Sequence, residues 1–68
     1  MKHKEVFDCY YSIQSEEMRE EIEGYKPLSE TITLPPGTDR NSAIMITFKD
    51  GSWLRAYERT DNNSIEWY

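Results

Sequence analysis

The chain has 68 residues, 8 basic and 13 acidic side chains, a net charge of -5, one cysteine and one histidine. That length allows one domain over residues 1–68, which buries only about 60% of its unfolded surface, so a partner subunit is the expected source of further burial. The composition excludes an internal disulfide, a four-ligand zinc site and the basic stripe that a phosphate-tracking protein needs.

The longest apolar run, Ala43 to Ile46, falls far short of the ~20 residues of a membrane span. The first residues contain no apolar stretch of signal-peptide length. A soluble, cytoplasmic protein is therefore expected, with no membrane partner and no direct contact to nucleic acid.

In chain order, Lys4 to Ile13 alternates: Phe7, Cys9, Tyr11 and Ile13 point one way, Val6, Asp8, Tyr10 and Ser12 the other. Period two with aromatic and β-branched content predicts a strand. "SEEMREEIEG" follows and predicts a helix of about two turns. Ser15 is its N-cap, Glu16 and Glu17 favour its positive end, and Gly24 stops it. Only Met18 and Ile22 give it an apolar stripe, so it must dock on a sheet. Leu28, Ile32 and Leu34 alternate with Ser29, Thr31 and Thr33 and predict another strand, closed by Pro35-Pro36-Gly37.

"AIMITF" is the next strand, and Asp50-Gly51 signals a hairpin. Taken as a two-residue turn, it sets Lys49 opposite Ser52, Phe48 opposite Trp53, Ile46 opposite Arg55 and Ile44 opposite Tyr57. Thr47 then meets Leu54 and Met45 meets Ala56. The Phe48–Trp53 pair would add ~0.5–1 kcal/mol beyond its buried area. "TDNNS" is a second turn, and "SIEWY" runs back along the preceding strand. The expected fold is α+β: one short helix on a four- to five-stranded, mostly antiparallel sheet whose C-terminal half is a β-meander.

Chemistry is sparse. Alternation places Cys9 beside Phe7 and Tyr11, which predicts a buried structural thiol. Glu58 and Glu66 are a possible carboxylate pair, but Arg55 and Arg59 stand ready to neutralise them in cross-strand ion pairs. "LPPGTD" lacks the lysine and serine of a phosphate-binding loop. The expectation is a protein that is not an enzyme and holds no cofactor or metal.

Two surfaces remain as binding candidates. Glu16, Glu17, Glu20, Glu21 and Glu23 fall within eight residues, opposed only by Arg19. On a helix they would cover a face roughly 160° wide, opposite Met18 and Ile22. They would line about 12 Å of axis, over which duplex DNA carries about seven phosphates. This face is a candidate to meet a basic groove, with Tyr57 as an aromatic anchor. A solvated acidic face that keeps the protein soluble accounts for the same residues. The second surface is aromatic. Trp53, Arg55, Trp67 and Tyr68 are candidates for a homodimer interface, since a single helix covers one sheet face at most and two-fold dimers dominate soluble oligomers.

The Glu16–Glu23 cluster and the aromatic hairpin around "DGSWLRAY" give the chain a resemblance of type to the small acidic phage-encoded inhibitors of bacterial defence systems, anti-CRISPR proteins among them. That resemblance implies a non-enzymatic inhibitor in the host cell cytoplasm, bound to a host effector that handles nucleic acid. The alternative is a small structural protein whose role is homo-oligomerisation or incorporation into a larger complex.

Overall fold

The computed structural model describes residues 2–68. Its elements are α1 (Lys2–Ser12), α2 (Glu16–Glu21), β1 (Ile22–Pro27), β2 (Thr38–Phe48), β3 (Trp53–Arg59) and β4 (Ile65–Trp67). The strands form one antiparallel sheet in the order β1-β2-β3-β4. The α+β class and an antiparallel sheet of about the expected size match the sequence expectation, but the first strand of the sheet is Ile22–Pro27 rather than the expected segment 28–34, and there are two helices rather than one.

The first element also differs. Residues expected as a strand form α1, because Val6 and Tyr10 lie one helical turn apart and together reach the sheet. They are buried with Ile44, Ile46 and Ala56, and Phe7, Ile22, Phe48, Leu54 and Ile65 pack around them. Each fully buried aliphatic side chain there contributes about 1.5–3 kcal/mol. The outward side of α1 carries Cys9, which is exposed rather than buried. The helix that covers the sheet is thus α1, not the glutamate-rich segment.

Both ends of α1 are tied down. At its start the Lys2 ammonium binds the Asp39 carboxylate and reaches Glu58 at 3.4 Å. At its end Arg19 donates from Nε to the Tyr11 carbonyl and from Nη2 to the Ser12 carbonyl, each at 2.9 Å. The Tyr11 carbonyl also accepts from the Gln14 N–H at 3.2 Å, and a guanidinium at the last carbonyls of α1 favours the negative end of the helix dipole.

α2 is shorter than the sequence suggests. Ser15 does cap it, accepting from the Met18 N–H at 3.2 Å, but the helix stops at Glu21. Ile22 turns into β1 because its side chain joins the core and its backbone pairs with Phe48. Residues 28–34, expected as a strand, form a looped segment held by polar contacts. Ser29 Oγ shares a 2.8 Å hydrogen bond with Thr31 Oγ1, and the Arg40 guanidinium donates to the Ser29 and Ile32 carbonyls. Side-chain bonding to nearby backbone competes with ladder formation, and here it wins.

The hairpin forms, but one residue out of the expected register. Thr47 opposes Trp53, Ile46 opposes Leu54, Met45 opposes Arg55 and Ile44 opposes Ala56. Three residues, Lys49, Asp50 and Gly51, make the loop, closed by the Phe48 N–H donating to the Ser52 carbonyl at 2.9 Å. Gly51 has φ of +90°, the left-handed residue that a three-residue loop requires. The Phe48–Trp53 pair is therefore not made. Since side chains alternate along a strand, the one-residue slip moves Trp53 and Tyr57 to the face opposite α1.

β2 and β3 change register between Asp39 and Ile44. Ser42 bridges this irregularity and has no exposed surface. Its hydroxyl donates to the Asp39 carbonyl at 2.6 Å and accepts from the Glu58 N–H at 2.8 Å.

Candidate partner-binding surfaces

Alternation along β1 to β4 assigns Lys26, Met45, Thr47, Trp53, Arg55, Tyr57, Glu66 and Tyr68 to the sheet face away from α1. α2 meets the sheet chiefly at β1. The centre of this face is an aromatic–guanidinium stack. The Arg55 guanidinium carbon lies 4.3 Å from the Tyr68 ring centre and 5.3 Å from that of Trp53. Backbone bonds of 3.0 Å in both directions between Arg55 and Tyr68 hold the two residues opposite each other. Trp53 is 44% exposed and Tyr68 52%.

Tyr57 sits beside the stack, its ring edge-on to Tyr68 at 6.0 Å, yet it is only 3% exposed. Its hydroxyl donates to Glu66 at 3.4 Å, and burial, reinforced by the Glu66 charge, pushes its pKa up. Tyr57 therefore supports this surface from beneath. Glu66 also lies 3.7 Å from the Arg59 guanidinium, which binds Asp61 as well. The cross-strand ion pair expected for Glu66 is thus formed by Arg59, while Glu58 faces Lys2.

Trp67 is on the opposite face. Its ring meets Tyr10 edge-on at 5.2 Å, leaving it 38% exposed. Of the four residues expected at a dimer interface, the fold brings Trp53, Arg55 and Tyr68 together and sends Trp67 to α1.

The glutamates occupy a different place. Glu16, Glu17, Glu20 and Glu21 lie on α2 and Glu23 on β1, so they do not share one helix face. All five are exposed, and none makes an ion pair or side-chain hydrogen bond among the described residues. Arg19, the one cation in the segment, directs its guanidinium to the α1 carbonyls. A shallow depression lined by Tyr11, Glu16, Arg19 and Glu20 marks the junction. Sequence pattern alone does not reveal this withdrawal of Arg19, because it depends on α1 being a helix with a carbonyl end to cap.

Among the described residues no three of histidine, cysteine, aspartate and glutamate gather closely enough to hold a metal ion. No described helix is long and apolar enough to cross a membrane. No protein-family model, curated protein or solved structure matches the chain.

Proposed function

We propose that the protein is a non-enzymatic inhibitor that acts by occupying the surface of another protein, a host effector that handles nucleic acid. The observation that carries this reading is the set of five exposed, unpaired carboxylates at α2 and the start of β1. Charges left uncompensated in one segment raise the local field and steer a basic partner, with a rate that falls as salt rises. Glu20, Glu21 and Glu23 do not serve the α2 dipole, whose positive end lies at Ser15.

The test is affinity capture from nuclease-treated bacterial lysate with the wild type and with Glu20→Lys/Glu21→Lys. One dominant nucleic-acid-handling protein, held by the wild type and lost with the charge reversal, supports the reading. Retention of that protein by the folded double variant counts against it.

A second reading rests on the exposed rings of Trp53 and Tyr68: a structural protein whose role is self-association across the open sheet face. Light scattering separates the two. A dimer that captures nothing shifts the assignment to assembly, and the glutamates then serve solubility.

A further inference from the structure

The four arginines are not equivalent. Arg19 and Arg40 donate to backbone carbonyls, and Arg59 donates to Asp61 and lies near Glu66. Arg55 has no oxygen acceptor among the described residues, and its Nε is fully buried without a partner. In a chain with five more acids than bases, a guanidinium without a carboxylate needs an explanation.

Its position adds to the case. The Tyr68 and Trp53 rings both lie against the guanidinium, so part of its side-chain freedom is already lost before a planar acceptor arrives. Lys26, Met45, Arg55 and Tyr68 form one cross-strand row on the same face. Strand spacing puts the Lys26 and Arg55 backbones roughly 10 Å apart, with a methionine between them. Lys26 is exposed and has no ion pair among the described residues. Two unpaired cations beside Trp53 and Met45 are complementary in charge to a carboxylate carried on an apolar segment. They are a poor match for a nucleic acid, which brings one phosphate per ~1.7 Å of duplex axis against a net charge of -5.

We propose that Arg55, held against Trp53 and Tyr68, is the anchor of a second docking site, which takes an acidic segment of a partner protein. One carboxylate accepts from the two terminal Nη groups of Arg55, whose Nε is covered, Lys26 holds a second, and the neighbouring apolar side chains lie on Trp53 and Met45. The site is independent of the glutamate segment and stands or falls without it.

The experiment follows the Arg55 Nε–H signal and the Trp53 and Tyr68 amides by heteronuclear NMR. The probe is a capped hexaglutamate peptide, compared with a hexathymidylate strand and with dilution of the protein alone. The expected result is saturable movement of these signals by hexaglutamate, with binding weakened about tenfold or more in Arg55→Gln, the size of one lost charge-assisted pair. Arg55→Lys keeps the charge but loses the fork and should recover only part of the affinity. Glu20→Lys/Glu21→Lys should not weaken it, which keeps this test distinct from that of the glutamate segment. A correctly folded spectrum for each variant excludes unfolding as the cause. No movement up to about 10 mM peptide, the weak limit of a specific contact, overturns the proposal. So does equal binding by Arg55→Gln, or tighter binding of hexathymidylate. Movement on dilution alone would make a second copy the occupant and would also overturn it.

Discussion

Ser42→Ala isolates the hydroxyl that spans the irregularity in β2. The side chain has no exposed surface, and it both donates to the Asp39 carbonyl and accepts from the Glu58 N–H. Alanine fits the space but removes both bonds. Each bond contributes about 0.5–1.5 kcal/mol net, and an N–H left without an acceptor in a dry site costs about 1–3 kcal/mol, so the expected loss is about 2–3 kcal/mol. A chain of this size has about 3–10 kcal/mol in total. Urea unfolding followed by tryptophan fluorescence should show the midpoint falling by about 1.3–2 M at an m-value of about 1.5 kcal/mol/M. Ser12→Ala is the control, because Ser12 bonds the Cys9 carbonyl in an exposed setting and should change stability by less than about 0.5 kcal/mol. A midpoint shift below about 0.3 M in Ser42→Ala, with unchanged m-value, would refute the bridging role.

Stability should fall at both ends of the pH scale. Asp39, Asp50 and Asp61 are held below the ordinary 3.8 by hydrogen bonds from Lys2, Ser52 and Arg59 respectively. A lowered folded pKa gives stability that is present above 3.8 and is lost as pH falls through the folded values. Tyr10 is raised above 10.0 by burial and Lys2 above 10.5 by its bond to Asp39, so their contributions are complete below those values and are lost as pH rises through the folded ones. Urea midpoints should therefore be level from about pH 5 to 9 and decline outside that window. The Cys9 thiol is exposed, so a chromogenic disulfide reagent should titrate one thiol per chain without denaturant. A thiol that reacts only after unfolding would restore the buried assignment.

Much of the C-terminal half was legible because its signals are local. "DG" between apolar runs marks a hairpin, and "TDNNS" marks a turn, where Asn62 accepts from the Ser64 N–H and Asn63 takes a φ of 56°. The register was not legible, since Asp-Gly serves both a two-residue loop and the three-residue loop seen here. That ambiguity decided which residues share a face. At the N-terminus two periods coexist in the same letters. Phe7, Cys9, Tyr11 and Ile13 satisfy a strand, while His3, Val6, Phe7 and Tyr10 satisfy a helix. Tertiary burial selects the second set and leaves Cys9, Tyr11 and Ile13 outside. The aromatic stack on the open face depends on both of these outcomes, so the individual residues were visible in the sequence but their grouping was not.

The anchoring of α1 at its two ends has a consequence for how the molecule comes apart. Lys2 reaches Asp39 and Glu58 on β2 and β3, while Arg19, just before β1, holds the other end. An 11-residue helix has little stability by itself in water. Releasing it would uncover Ile44 and Ile46, leaving the sheet no core to close upon. Helix and sheet are thus one cooperative unit, and slow amide exchange in α1 should report the same opening event as exchange in β2. A protease would then reach α1 and β2 through the same opening event.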